Sequence, residues 1–358
     1  KISFDKDILK NKNILSNKIC NQNILVIGGA GTIGSSYIKQ ILKYKPSKIT
    51  VVDINENGLT ELVRDLRSTQ NQFIPHEFFT YPLSFDNPAF FKLFKSHGPF
   101  DIVANFAAHK HVRSEKDIFS IEALLENNII KAKGLLDLLV NYPPAHFFCV
   151  STDKAANPIN LYGATKLTSD KLFVAANNIK GKRNIKFSVV RYGNVMGSNG
   201  SVIPFFLKRK KIDNTLPITV KEMTRFNISL QGGVDMVMHA LHTAWGGEIF
   251  VPKIPSYRIT DVVEAIGPNC EKPIIGIRPG EKIHEEMISS SDSFFTYDLG
   301  KYYAIIPQST NWPLSEFVSN FNAKKVSEGF SYNSLDNEEW ETVESLRKLI
   351  ELHVTKNI

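Results

Sequence analysis

Short apolar runs alternate with longer segments of helical periodicity from about residue 23 to residue 197. The runs NILVIGG, KITVVD, FDIVANFAA, HFFCVST and KFSVVRYGNV are each typical of a buried parallel strand. Between them, SSYIKQILKYK, NGLTELVRDLRST, the long segment 118–142 and YGATKLTSDKLFVAANN carry apolar residues at helical spacing. Strands that alternate with helices predict an α/β fold with a doubly wound parallel sheet.

The composition narrows the class of protein. Apolar residues make up 42% and charged residues 22% of the 358 residues, as in ordinary globular proteins. The net charge of +7 includes no basic run longer than KRKK at 208–211, and no aromatic residues interleave with it, so a solvated surface is favoured over nucleic-acid binding. No apolar run approaches the ~18–20 residues that cross a bilayer, so we expect no membrane contact and a cytoplasmic location.

The three cysteines, Cys20, Cys149 and Cys270, lie far apart and form no C-x-x-C pair. This spacing predicts free thiols in a reducing compartment rather than a disulfide framework. The segment HEEMI at 284–288 lacks the second histidine of an H-E-x-x-H zinc motif. No metal site is therefore predicted.

A glycine-rich turn, IGGAGTIG, directly follows the first predicted strand and opens the first helix. Gly28, Gly31 and Gly34 let the backbone turn tightly and approach a pyrophosphate, which the N-terminus of the helix attracts. Asp53 ends the second strand, where a carboxylate accepts hydrogen bonds from an adenosine ribose and repels a 2′-phosphate. A turn or helix-capping role is the alternative for Asp53. Because no arginine directly follows it, NAD is predicted over NADP as the cofactor.

A tyrosine and a lysine four residues apart, Tyr162 and Lys166, lie on one face of a predicted helix after the strand HFFCVST. A phenol with an ordinary pKa near ~10 is a poor base, but a neighbouring ammonium and a positively charged nicotinamide lower that pKa. Such a phenolate removes a hydroxyl proton while hydride leaves the same carbon. Asp153 and Lys154 stand shortly before this pair. A solvated loop would explain them individually, whereas their neighbours favour a reaction centre.

These motifs resemble those of the extended short-chain dehydrogenases/reductases. More narrowly, the chain is similar to the bacterial polysaccharide biosynthesis proteins that act as UDP-N-acetylglucosamine 4,6-dehydratases, in particular the inverting branch of pseudaminic acid synthesis. The resemblance runs from about residue 22 to about residue 308. It rests on GGAGTIG, NFAAHKHV, STDKAANPINLYGATKL, SVVRYGNVMGSNGSVIPFF, MTRF, GGEIFVPKIPS and IGIRPGEKIHEEMI.

The resemblance implies the chemistry of a 4,6-dehydration. Tyr162 and Lys166 would oxidise C4 of the sugar by hydride transfer to NAD. Lys154 would then remove the C5 proton, Asp153 would protonate the departing C6 hydroxyl, and Thr152 would hydrogen-bond near O4. Return of the hydride to C6 would give a UDP-4-keto-6-deoxy-N-acetylhexosamine for surface glycans. A lysine that acts as a base needs a lowered pKa, through burial or a nearby cation.

Further ligand contacts come from the same resemblance. The cofactor would also contact Thr32, Ile33 and Ala107. The sugar nucleotide would contact Lys110, Asn194, Ser201, Val202, Arg225, Arg278 and Glu281. The two arginines would balance the diphosphate charge, and Glu281 would accept hydrogen bonds from ribose hydroxyls. A surface ion pair is the alternative for each arginine.

The chain departs from the family pattern at three places. Arg113 follows KHV where proline is usual, and Asn128 is followed by Lys131 and Ala132 where Gly-Thr is usual. The segment TYPLSFDN lacks the usual Asp-Val that holds the adenine. These departures concern the adenine pocket and the segment 113–132 rather than the reaction centre.

Two other functions fit part of the pattern. A UDP-sugar 4-epimerase of the same fold needs Tyr162 and Lys166, but it has no need for the Asp153–Lys154 pair. A non-catalytic dinucleotide-binding regulator needs only the glycine-rich turn. The presence of all these residues favours the dehydratase.

Four parts are expected along the chain. They are an N-terminal extension over 1–22 that packs on the outside, an NAD-binding Rossmann domain over 23–197, a mainly substrate-binding lobe over 198–308 and a C-terminal helical extension over 309–358. A return of the chain to the first domain within the third part is left open. In related proteins, a helix pair from each subunit forms a four-helix interface, which predicts a homo-oligomer through the helices at 118–142 and 160–178.

Overall fold

A computed structural model describes residues 4–108, 115, 117–198 and 201–354, and the structural statements below refer to these residues. The helices are α1 Asp5–Lys10, α2 Lys12–Ile19, α3 Thr32–Leu42, α4 Glu56–Ser68, α5 Pro88–His97, α6 Ile118–Leu125, α7 Lys131–Asn141, α8 Leu161–Ile179, α9 Val202–Asp213, α10 Leu230–Thr243, α11 Ile259–Ile266, α12 Leu314–Phe321 and α13 Val343–His353. The strands are β1 Asn23–Ile27, β2 Lys48–Val52, β3 Glu77–Tyr81, β4 Ile102–Asn105, β5 His146–Thr152, β6 Lys186–Tyr192, β7 Asn194–Val195, β8 Thr224–Ile228, β9 Ile249–Pro252, β10 Ser256–Arg258, β11 Glu286–Ile288, β12 Thr296–Asp298, β13 Tyr302–Ile305, β14 Lys324–Lys325 and β15 Tyr332–Asn333.

A ten-stranded sheet forms the centre of the molecule, in the order β14-β12-β13-β9-β6-β5-β4-β1-β2-β3. The strands from β9 to β3 are parallel, and β13, β12 and β14 add an antiparallel edge. The strand order reverses between β1 and β4, which is the arrangement of a doubly wound sheet. The predicted α/β Rossmann-type fold is therefore confirmed.

Helices cover both faces of the sheet, so the parallel strands are buried on both sides and read as continuous apolar runs. On one face α2, α3, α4 and α10 bury residues such as Leu15, Ile38 and Val237. On the other face α5, α7 and α8 bury residues such as Leu139 and Phe173.

The N-terminal segment is more closely integrated than the expected outer extension. Leu15 and Ile19 are fully buried in the core beneath α10. Phe4 stacks on Tyr302, and Asp7 accepts hydrogen bonds from Lys301 Nζ at 2.9 Å and from the Tyr302 hydroxyl at 3.0 Å. The N-terminal segment therefore packs against α10 and also contacts strand β13 near the antiparallel edge of the sheet.

Beyond β6 the chain contributes in turn to the central sheet and to a separate, smaller core. Strands β9 and β12–β14 extend the central sheet, whereas α9, α11 and α13 form a separate core with residues such as Phe206, Val262 and Leu346. A small sheet of β10, β8 and β7 joins that core to the carboxyl end of β6. The segment from residue 309 is not purely helical, because β14 pairs with β12 and β15 pairs with β11.

The helix predicted at 118–142 consists of α6 and α7, which a π-helical turn at Glu126–Ile130 connects. Such turns often occur near functional sites. Here the turn buries Asn128, whose side-chain amide donates to Thr165 Oγ1 of α8 at 3.1 Å.

Over the described ranges, no helix combines the length and apolarity that a membrane span requires.

Candidate active site

A cavity of about 630 Å³ opens at the carboxyl ends of β1, β2, β4, β5 and β6. It lies at the reversal of strand order, which is the position where doubly wound sheets bind ligands. Its wall includes all of the residues predicted for the cofactor: Gly28, Gly31, Thr32, Ile33, Gly34, Asp53, Ala107, Tyr162 and Lys166.

In the glycine-rich turn, Gly28 and Gly34 allow the backbone of the turn to lie close to the first turn of α3. A side chain at Gly34 would place its Cβ 2.3 Å from the Gly28 carbonyl oxygen, and Gly28 itself has a φ of +77°. Gly31 differs, because a Cβ there would meet Gly28 O at an ordinary 3.4 Å, so packing within the chain does not require this glycine. In the described part of the chain no side chain caps the N-terminus of α3. The free N–H groups of its first turn fit a pyrophosphate.

Asp53 has the structural role that the sequence offered as an alternative, and it also faces the cavity. Its carboxylate accepts hydrogen bonds from the backbone N–H groups of Ala30 and Asn55, both at 2.9 Å, and so braces the glycine-rich turn. It also lines the cavity beside Ile54. Leu83 and Phe85, from the segment that lacks the family's Asp-Val, also line the cavity.

The helix α8 delivers Tyr162 and Lys166 to the cavity. Asn160 caps the helix by accepting a hydrogen bond from Gly163 N at 2.7 Å, so the helix begins at Leu161. Lys166 Nζ donates to the Val150 carbonyl oxygen at 3.0 Å. Burial raises the pKa of Tyr162 to about 12, although the Lys154 charge and a hydrogen bond with Thr152 oppose this rise. The Lys154 charge therefore favours the phenolate form of Tyr162.

The turn after β5 brings Thr152, Asp153 and Lys154 together. Asp153 Oδ1 accepts hydrogen bonds from Thr152 Oγ1 at 2.8 Å and from Lys154 Nζ at 2.9 Å. Asp153 is fully buried beneath the cavity, and its Oδ2 has no hydrogen-bond partner among the described residues. Burial, with the nearby Glu285 charge, raises the pKa of this carboxyl despite its contact with Lys154, which suits a group that donates a proton.

Lys154 has a second carboxylate partner. Its Nζ lies 3.2 Å from Glu285 Oε1 and 3.4 Å from Asn194 Oδ1. Burial lowers the pKa of the ammonium, but the charges of Asp153 and Glu285 outweigh burial and the pKa is raised overall. This direction is opposite to the lowered pKa that a lysine base requires, so the ammonium proton must leave before Lys154 can accept another.

Five of the residues predicted for the substrate line the same cavity: Asn194, Ser201, Val202, Arg225 and Glu281. The hydroxyl of Ser201 and one oxygen of Glu281 are buried without a hydrogen-bond partner among the described residues. Unpartnered polar atoms at a cavity wall fit a polar ligand.

The three basic residues predicted for the substrate are placed differently. Arg225 lines the cavity, but its terminal nitrogens donate to backbone carbonyl oxygens of residues 224, 282 and 283. Arg278 is 45% exposed, pairs with Glu281 at 3.5 Å and does not contribute to the cavity wall in the part of the chain described here. Lys110 lies outside the described residues.

Sequence reasoning missed Glu285 and Tyr257, which both line the cavity. Glu285 stands in the segment IGIRPGEKIHEEMI, from which only Arg278 and Glu281 were selected. A buried carboxylate could have been suspected there, because the residues on its C-terminal side form an apolar strand. Tyr257 carries no local motif that would have revealed it.

The architecture and the cavity define an extended dinucleotide-binding protein of the short-chain dehydrogenase/reductase type. A family model described as "Polysaccharide biosynthesis protein" matches residues 24–307, so the chain belongs to this family. This confirms the family resemblance of the sequence motifs.

Relatives of known name share most of the chain. A UDP-N-acetylglucosamine 4,6-dehydratase (inverting) of Campylobacter jejuni is 42% identical over 350 residues, which cover 92% of this chain and 97% of that protein. A UDP-glucose 4-epimerase of Rickettsia felis is 33% identical, covering 80% of this chain and 83% of that protein. Among solved structures, Pen from Bacillus thuringiensis superposes with a TM-score of 0.81 at 29% identity, covering 93% of this chain and 98% of that one.

Proposed function

We propose that the protein is a nucleotide-sugar 4,6-dehydratase that converts UDP-N-acetylglucosamine to a UDP-4-keto-6-deoxy-N-acetylhexosamine for bacterial surface glycans. The observation that carries the proposal is that Lys154 and Tyr162 line one cavity next to a glycine-rich turn, with Asp153 buried in contact with Lys154. An epimerase needs only the tyrosine and its lysine. The dehydratase relative, which is 42% identical, supports the same choice over the epimerase relative at 33%.

The expected division of labour follows from the contacts of each side chain. Tyr162 takes the proton of the C4 hydroxyl, and Thr152 holds that oxygen by hydrogen bonding. Lys154 removes the C5 proton, which a neighbouring 4-ketone makes acidic. Asp153 protonates the C6 hydroxyl as it departs. Because Asp153 is buried beneath Lys154, its carboxyl must rotate toward the cavity when the sugar is bound.

The cofactor is a nicotinamide dinucleotide, which supplies hydride acceptance from C4 and hydride return to C6 when bound. The free N–H groups at the start of α3 would hold its pyrophosphate, and Gly31 leaves room for that group. Asp53 would contact the adenosine ribose. The positive charges of Lys154 and of the oxidised nicotinamide would both favour the phenolate form of the buried Tyr162.

Product mass tests the proposal. Incubation with UDP-N-acetylglucosamine, without added oxidant, should give a product lighter by one water. An unchanged mass with a new C4 configuration would indicate an epimerase instead. The absence of any reaction would fit a non-catalytic regulator or a different sugar.

We expect the protein to prefer NAD to NADP, because the Asp53 carboxylate repels a 2′-phosphate. Asp53→Asn keeps the size of the side chain but removes the charge. It should raise the affinity for NADP relative to NAD by at least about tenfold, measured by calorimetric titration of both cofactors. Asp65→Asn on the exposed side of α4 serves as the control. An unchanged preference in Asp53→Asn would show that another group selects the cofactor.

We expect a homo-oligomer through α6, α7 and α8. Ile130 is 58% exposed on this surface, and a second subunit would bury it. Ile130→Glu should therefore shift the mass in light scattering toward the monomer. Ile212→Glu on α9, where the isoleucine is 63% exposed, should leave the mass unchanged. A wild-type protein that remains monomeric at all concentrations would contradict the prediction.

A cytoplasmic location and the division into a cofactor-binding and a substrate-binding part stay predictions.

A further inference from the structure

Glu285 is a buried carboxylate at the reaction centre. Its side chain is 3% exposed, and it lines the cavity beside Lys154. Oε1 lies 3.2 Å from Lys154 Nζ and 3.7 Å from Arg225 Nε. Oε2 is buried without a hydrogen-bond partner among the described residues. Glu285 thus contacts the expected base while keeping one oxygen free.

The backbone around Glu285 is fixed by the C-terminal part of the chain. Glu285 N donates to Ser334 Oγ at 2.9 Å, and Ser334 N donates to the Glu285 carbonyl oxygen at 2.7 Å. The Arg225 guanidinium holds the preceding turn through the carbonyl oxygens of Lys282 and Ile283, both at 2.9 Å. A carboxylate held in this way keeps a constant distance to Lys154.

Several charged and titratable groups face Lys154 from the surrounding elements. They are Asp153 on its own turn, Tyr162 on α8, Arg225 on β8, Tyr257 on β10, and Lys282 and Glu285 before β11. Within the described residues, the carboxylates that form ion pairs with Nζ are those of Asp153 and Glu285. Their environments differ, because Glu285 has Arg225 as a second cationic partner whereas Asp153 is fully enclosed.

We propose that Glu285 is the positioning residue that takes the ammonium proton of Lys154, so that the neutral amine can act as the base of the dehydration. This inference rests on the proposed function. The Lys154 Nζ–H bond breaks and an O–H bond forms at Glu285 Oε1, across the 3.2 Å contact. The freed lone pair then accepts the C5 proton.

The other bonds that form and break complete the elimination of water across C5 and C6. The electrons of the C5–H bond form the C5–C6 double bond, and the C6–O bond breaks with its electrons on oxygen. That oxygen takes the Asp153 proton and leaves as water. Asp153 must therefore hold its own proton at the start, which leaves Glu285 as the acceptor for the Lys154 proton.

The pKa values of the two carboxyl groups shift in opposite directions. Burial raises the pKa of Asp153, which favours its neutral form. Burial alone would also raise the pKa of Glu285, but the charges of Lys154 and Arg225 lower it overall, so this group is an available carboxylate. The lowered pKa of Glu285 and the raised pKa of Lys154 both oppose the proton transfer, so the 3.2 Å contact between the two side chains is what supports this role for Glu285.

Glu285→Gln tests the inference, because the amide keeps the shape but cannot accept a proton. At neutral pH we expect kcat for dehydration to fall at least about 100-fold, with KM changed less than about threefold. The lysine proton must then go to solvent, so kcat of the variant should rise about tenfold per pH unit above neutrality. Turnover by the wild-type protein should vary far less over the same range. The kcat of Glu285→Asp should be at least about tenfold higher than the kcat of Glu285→Gln.

Glu286→Gln is the matched control, since Glu286 is adjacent in sequence but absent from the described cavity wall. It should retain wild-type kcat and pH dependence. Wild-type kcat in Glu285→Gln, or an equal loss at every pH without recovery in Glu285→Asp, would overturn the inference. If Glu285→Gln does not fold, Glu285→Asp decides: lower kcat at constant KM supports the role, and unchanged kcat refutes it.

The reaction of the wild-type protein distinguishes a failure of the proposed function from a failure of the role of Glu285 alone. If the wild-type protein releases no water from UDP-N-acetylglucosamine, the proposed function fails and the role of Glu285 fails with it. If the wild-type protein dehydrates the sugar and Glu285→Gln matches it, the role of Glu285 alone is wrong.

Discussion

Lys154→Ala should stop the reaction after the first hydride transfer, with a loss of at least about 10³-fold in dehydration. Tyr162 and Lys166 remain in place, so oxidation at C4 can still proceed, although more slowly because the Lys154 charge that favours the phenolate is lost. Without the amine, the C5 proton stays and no acceptor forms at C6. Reduced nicotinamide should therefore accumulate to about one equivalent per site, seen by its near-ultraviolet absorbance in a single turnover.

Asp153→Asn provides the comparison, because it keeps the shape of the acid but cannot donate a carboxylic proton. It should stall at the same stage with the same absorbance. Deuterium from solvent should enter C5 in Asp153→Asn, where the amine is retained, but not in Lys154→Ala. If Lys154→Ala exchanges C5 and eliminates water at the wild-type rate, the base lies elsewhere.

Tyr162→Phe should abolish turnover at an earlier point, again by at least about 10³-fold. The phenol is the group that takes the C4 hydroxyl proton, so no hydride should leave and no reduced nicotinamide should appear. Lys166→Ala should behave in the same way. The absorbance of reduced nicotinamide in a single turnover therefore distinguishes variants that stall after C4 oxidation from variants that cannot oxidise C4.

Tyr37→Phe is the matched control for the loss of a buried phenol. Tyr37 is fully buried on α3, its hydroxyl has no hydrogen-bond partner among the described residues, and it does not belong to the described cavity wall. Its removal should leave turnover unchanged and stability nearly so. Full activity in Tyr162→Phe would refute the role assigned to that phenol.

The sheet and the cofactor side of the cavity were predictable because their signals are local. A strand, a glycine-rich turn and a helix follow one another at 23–42, and the structure has β1, the turn and α3 in that order. Tyr162 and Lys166 share a helix face, so their spacing alone predicts that they lie together. Asp153 and Lys154 follow a buried strand whose carboxyl end must reach the same edge.

The contacts that set the charge of Lys154 were not predictable in this way. Glu285 lies far along the chain from Lys154, and hydrogen bonds with Ser334 and Arg225 hold the segment around Glu285 in place. The need for a lowered pKa at Lys154 was sound chemistry, but the direction of the shift depends on this distant carboxylate. The helices α9, α10 and α11 were not predicted individually for a related reason, since prolines interrupt the periodicity in this part of the chain and tertiary packing decides the elements.

The NMR spectrum of the product formed from UDP-N-acetylglucosamine in D₂O tests the central claim most directly. Dehydration through Asp153, Lys154 and Tyr162 predicts a C4 ketone or its hydrate, a methyl group at C6 and deuterium at C5, without added oxidant. The same spectrum reports the C5 configuration. A product that keeps its C6 hydroxymethyl group and its C5 proton, with or without inversion at C4, would contradict the account.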